Sequence, residues 1–187
     1  FEKVIQTKEN SFFECDELIV PSIGLQNSYG LKYLNKTYPN NSSKAKRRVY
    51  ISRQNAKWMK VINLNILAPI LKKYNIEIIE TENLSVEQQV LLVRECEILI
   101  TPHGAGLANI VFMKPDSLVV EIMNKNRIHT GYHAYGMISQ LYYGYTRANS
   151  VGNKLSLGKE STKNLKLNQE NVLEIEKIIE KYLSIQH

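Results

Sequence analysis

The sequence predicts an α/β domain, a Rossmann-like open parallel sheet with helices on both faces. Three observations carry the prediction. From Arg48 onward, short apolar runs alternate with segments of helical periodicity. No internal repeat is visible, and 187 residues suit one domain with an appended segment. Polar residues and glycines collect where the apolar runs end, as expected where a parallel sheet meets a ligand.

The elements follow in order. Residues 1–45 lack clear periodicity and are read as a linker and partial upstream segment, with a short strand over 16–21 stopped by Pro21. Residues 35–46 are polar and turn-rich, a loop. The domain proper is assigned to 46–187. Val49-Tyr50-Ile51-Ser52 is its first strand. Leu64, Leu67, Leu71 and Tyr74 space a helix over about 64–74, and Pro69 requires it to start near Asn65 or to kink. Ile76–Glu80 is the second strand. Ser85 with Gln88 forms a capping box opening a helix whose apolar face is Val86, Val90 and Val93, widened by Leu91 and Leu92. Glu97–Ile100 is the third strand, a short helix follows near 106–113, and Ser117–Ile122 is the fourth strand. A helix near 132–142, a short strand at 143–146 and a terminal helix over 169–184, capped by Asn168, complete the chain.

Composition narrows the function. Hydrophobic residues make up 43%, ordinary for a globular chain. No apolar run is long enough to span a membrane. The two cysteines, Cys15 and Cys96, lie far apart without metal-ligand spacing, which points to buried thiols in a reducing compartment. The sequence begins at Phe1 and carries no signal-peptide pattern, so it is read as a piece of a longer protein. A cytoplasmic location is expected, with attachment to the inner face of a membrane as the alternative. Between Leu18 and Ile76 there are eleven Lys or Arg and no acid, and seven of these bases fall within Lys44–Lys60. That block is either a solvated face or one that meets an anionic ligand. Tyr50 and Trp58 stand among its charges, which leaves nucleic acid as a rival though unlikely partner.

The third strand runs into Ile100-Thr101-Pro102-His103-Gly104-Ala105-Gly106-Leu107-Ala108-Asn109. A glycine there admits a sharp turn, and a second admits a ligand close to the backbone. The helix that follows offers free N–H groups to an anion, and His103 adds a donor. The bland alternative is a tight strand-to-helix turn with an ordinary histidine. Asn109 stands where a dinucleotide fingerprint has its third glycine, which argues against NAD, and no P-loop pattern occurs. Arg53 and Lys60 are candidates to clamp a diphosphate, and Glu121 to accept both ribose hydroxyls. His129 and His133 lie four apart, but no third ligand follows, so no metal is expected.

The ordered set Ile51-Ser52-Arg53, Lys60, Asn63, Leu84-Ser85, Gln89, His103 to Asn109, Phe112 and Val119-Val120-Glu121 resembles glycosyltransferase family 61 over about residues 48–146. The chain departs from that family's pattern at Met59, Leu64 and Gln88, where arginine, glutamate and glutamate are common. The resemblance implies a GT-B enzyme that inverts anomeric configuration without metal or cofactor. It would pass a sugar from a nucleotide-diphosphate donor, usually UDP-linked, to a hydroxyl acceptor in glycan or capsular polysaccharide synthesis. The chain would be the donor-binding half, its amino-terminal Rossmann-like partner half being missing. Donor-binding residues would be Ser52, Arg53, Lys60, His103, Gly104, Ala105, Gly106, Leu107, Asn109 and Glu121, with His103 the one catalytic candidate. A binding module without catalysis is the alternative.

Overall fold

Arg47–Ser52 forms β1, and the sheet is built outward from it. The computed structural model describes residues 45–126, 129–151 and 163–186, with Gly30 and Lys36 as single helical positions. Apart from those positions and residue 45, the linker assigned to 1–45 lies outside the described residues, as do the strand expected at 16–21 and Cys15. After β1 come a 3-10 turn, Leu64–Leu67, and helix α1, Ala68–Lys73. Pro69 sits in the first turn of α1, where its missing N–H costs nothing, so the chain begins α1 there instead of kinking. Strand β2 is Glu77–Glu80, helix α2 is Val86–Glu95 and strand β3 is Cys96–Pro102. Next come a second 3-10 helix, Ala105–Phe112, and strand β4, Leu118–Asn124. Helix α3 is Gly131–Ile138, strand β5 is Tyr142–Val151, strand β6 is Asn164–Lys166 and helix α4 is Gln169–Ile185.

The strand order is β2-β1-β3-β4-β5-β6. The first five strands pair in parallel, and only β5 and β6 pair antiparallel. Alternate residues of the central strands feed two cores. Tyr50, Ile98, Ile100, Val120 and Ile122 pack with Leu67, Ile70, Leu71 and with Val172, Ile175 and Ile179 of α4. Val49, Ile51, Leu99 and Val119 pack on the other face with Val90 and Val93 of α2, Leu107 and Ile110 of the second 3-10 helix, and Tyr132 and Tyr135 of α3. Both faces are therefore covered, which is why these strands read as continuous apolar runs. Cys96 lies in the second core, and burial pushes its thiol up to about 12. No described helix is long and apolar enough to cross a membrane.

Several elements differ from the sequence expectation. Val86 and Leu91 are exposed on α2, because the first turn is committed to the Ser85 capping box and the packed face is Val90, Leu92 and Val93. The helix near 106–113 is 3-10, not α. Helix α3 ends at Ile138 in a left-handed turn at Gln140, leaving Leu141 to enter β5. Strand β5 is longer than expected because it pairs first with β4 and then with β6.

Candidate functional site

In this strand order the chain leaves β1 for β2 on one side and returns to β3 on the other. The carboxyl ends of β1 and β3 therefore diverge, and an open α/β sheet has its binding crevice at such a point. Arg53 follows β1 there, and His103-Gly104 follows β3.

Arg53 lies against Gly104. A Cβ on Gly104 would fall 2.5 Å from Arg53 Nη1 and 2.8 Å from Cζ, so the guanidinium rests where a larger residue would push it aside. Gly104 itself is extended, so its backbone carries no strain, and what the glycine provides is close approach of the guanidinium. Arg53 Nη2 donates to the Trp58 carbonyl at 3.4 Å, while Nε is buried with no partner. Arg53 makes no ion pair among the described residues, unlike Arg47, which bridges Glu77 and Glu95, and Arg48, which bridges Glu97. The basic block thus splits. Arg47 and Arg48 are neutralised at one end of β1, and Arg53 stands unpaired at the other, ~17 Å away at strand rise. Gly106 has open space where a Cβ would project, Ala105 is exposed, and no side chain caps the 3-10 helix they begin.

His103 is held from two sides. Its backbone N–H donates to the Ile122 carbonyl at 2.9 Å, extending the β3–β4 ladder by one step. Its Nδ1–H donates to Glu121 Oε1 at 2.5 Å. Glu121 has no exposed surface, and its other oxygen, Oε2, accepts from the Tyr143 hydroxyl at 2.5 Å. Burial, followed by the Glu121 charge, raises the Tyr143 pKa, so the phenol remains a donor. The rings of His129 and Tyr132 lie 5.2 and 5.3 Å from that of His103. Burial chiefly, with Glu121 contributing, raises the Tyr132 pKa as well. Nδ1 is engaged, so Nε2 is the ring nitrogen left for a ligand.

The structure brings Arg53, His103, Gly104, Ala105 and Gly106 to one corner, and the other candidates have the following contacts. Ser52 is buried, and its Oγ accepts from the Gln54 N–H, closing the turn after β1. Lys60 is tied by its backbone to β6, through Asn164 Oδ1 and the Leu165 N–H. Leu107 is core. Asn109 donates to Gln89 Oε1, and Gln89 in turn donates to the Thr81 and Leu84 carbonyls, which anchors the 3-10 helix to the start of α2. Glu121, the candidate for ribose, has both of its oxygens engaged inside the protein, and β4 runs on past it to Asn124. From sequence, Tyr143 reads with Tyr132, Tyr135, Tyr142 and Tyr145 as core or rim, one of the five being suited to stack on a base or sugar; its bond to Glu121 is not in that reading. Its signal was register: Tyr143 opposes Val119 across β4–β5, one diagonal step from Glu121, within reach of an aromatic side chain. No group of three or more His, Cys, Asp or Glu among the described residues is placed to hold a metal.

The family model described as Glycosyltransferase 61 matches residues 5–120. The chain belongs to glycosyltransferase family 61. The match takes in β1 to β3, the glycine corner and the first half of β4, and ends one residue before Glu121. This family 61 chain is also similar to the EGF domain-specific O-linked N-acetylglucosamine transferase of Drosophila melanogaster, 33% identical over 81 residues. That alignment covers 42% of the chain and 15% of the relative, so the chain corresponds to a small part of that protein's length.

Proposed function

We propose that this chain is the donor-binding half of a GT-B glycosyltransferase. It moves a sugar from a UDP-sugar to a hydroxyl acceptor with inversion and without a metal, in glycan or polysaccharide synthesis. An amino-terminal half faces it across the cleft, and the enzyme works in the cytoplasm. The observation that carries the reading is Arg53. It is an unpaired guanidinium with a buried, partnerless Nε, laid on Gly104 at the switch point of the sheet. A fork of N–H donors without a carboxylate suits a diphosphate, which accepts at several oxygens.

Glycosyl transfer builds negative charge on the departing diphosphate. Arg53, the N–H groups of Ala105 and Gly106, and His103 Nε2–H meet that charge as fixed donors that need no rearrangement during the reaction. Glu121 holds the imidazole in place through Nδ1. The group that takes the acceptor proton belongs to the opposing half. The family and the printed name of the fly relative make UDP-N-acetylglucosamine the first donor to try.

Calorimetric titration with UDP tests the reading without requiring turnover. The chain is expected to bind UDP, and Arg53→Ala to weaken binding by about tenfold or more, the scale of one charge-assisted hydrogen bond. A chain that takes up no UDP, or an Arg53→Ala variant with unchanged affinity, overturns it.

A further inference from the structure

Helix α3 carries a glycine, Gly136, in its interior, where alanine is ordinarily the better helix former. A Cβ at Gly136 would fall 2.7 Å from Tyr143 Cδ2. That atom sits next to the root of the ring and cannot move without carrying the whole side chain. On another side the His133 ring meets Tyr143 edge-on at 5.4 Å. From this slot the phenol reaches Glu121 Oε2, while Glu121 Oε1 meets His103 Nδ1. Without a donor on Oε2, the carboxylate is free to turn about its last torsion and offer either oxygen, or neither, to the imidazole.

We propose that Tyr143 is a positioning residue for His103: seated by Gly136, it fixes the Glu121 carboxylate so that the imidazole is held by Nδ1 and keeps Nε2 for the diphosphate. The inference deepens the donor-site reading and rests on it. It explains why a helix position that gains nothing from glycine has one. It also explains why a strand position that packs equally well with phenylalanine carries a hydroxyl.

Two variants test it, Tyr143→Phe and Gly136→Ala, each alone and Tyr143→Phe also combined with His103→Ala. The readouts are UDP affinity by calorimetry and the side-chain Nδ1–H resonance of His103 in the free, nitrogen-15-labelled chain. Tyr143→Phe is expected to weaken UDP binding roughly three- to tenfold, and to shift or broaden the Nδ1–H resonance. In the His103→Ala background it should cost nothing further, because its effect runs through the imidazole. Gly136→Ala should reproduce both changes while failing to raise the thermal midpoint as an alanine in an ordinary helix would. An unmoved Nδ1–H resonance in Tyr143→Phe, or a loss of affinity that adds in full to that of His103→Ala, overturns the proposal. Absence of UDP binding in the parent chain would sink the donor reading alone, since the resonance reports the relay without any ligand.

Discussion

Glu121 is a carboxylate with no exposed surface, and such a group survives only where its lone pairs are met. His103 and Tyr143 meet them. Truncation to alanine would strand an imidazole N–H and a phenol O–H in the interior, so Glu121→Ala is expected to lower unfolding stability by about 3 kcal/mol, the scale of a broken buried pair. Glu121→Gln keeps the shape and one acceptor, and is expected to cost about 1 kcal/mol. Urea unfolding of the two variants checks the difference; equal losses would mean that shape rather than pairing matters there. The sequence marks Glu121 as a carboxylate near a strand end. It does not mark its burial, because that depends on β5 and α3 closing over it. Two departures from the family pattern also have local surroundings that bear on them. Met59 is 5% exposed with a left-handed backbone, a place unfit for an unpaired arginine. Gln88 caps Ser85, which a glutamate would also do.

At the scale of elements, α4 is the piece most legible in advance, since its apolar stripe and its cap both lie within one short stretch of sequence. Asn168 Oδ1 accepts from the Asn171 N–H, and Asn171 returns the bond to the Asn168 N–H. Asn171 Nδ2 also reaches Thr146 and the Arg147 carbonyl, so the cap doubles as an anchor onto β5. Asn168→Ala is expected to cost about 1 kcal/mol, read as a lower urea midpoint at unchanged slope. Gly144 lets α4 lie close on β5, since a Cβ there would meet Ile178 Cγ2 at 2.7 Å. Strand β6 is the opposite case. Its three residues, Asn164-Leu165-Lys166, have no period to detect, and the strand exists because β5 and the loop after β1 supply its partners.

For the molecule as a whole, two separate sets of ion pairs join distant segments, one at the sheet's edge and one on α4. Arg47 joins β1 to Glu77 of β2 and Glu95 of α2, and Lys73 of α1 holds Glu176 and Glu180 of α4. The Arg47 guanidinium holds the Glu77 carboxyl below its usual value, and Lys73, with help from Tyr74, does the same for Glu180. Depressed carboxylates contribute stability that is complete above their unfolded pKa, about 4.3, and is lost as pH falls through the folded values. The urea midpoint is therefore expected to be level from neutral pH to about 5 and to fall below that, less steeply at high salt. A midpoint that stays level down to pH 3 would show these pairs to be idle. The parallel sheet and its covering by helices on both faces were foreshadowed by alternation and spacing, which are local properties of the sequence. The ties across long separations were not. Five hydrogen bonds fasten Lys60, Ile62 and Asn63 to Asn164, Leu165 and Leu167, about a hundred residues downstream. A ribosome would deliver Arg53 and the glycine corner long before it delivers the clasp that steadies the loop between Arg53 and α1. A piece trimmed at residue 120 would keep the corner and lose both the clasp and α4, whose Val172, Ile175 and Ile179 fill one core, so a version fit for testing extends through Ile185.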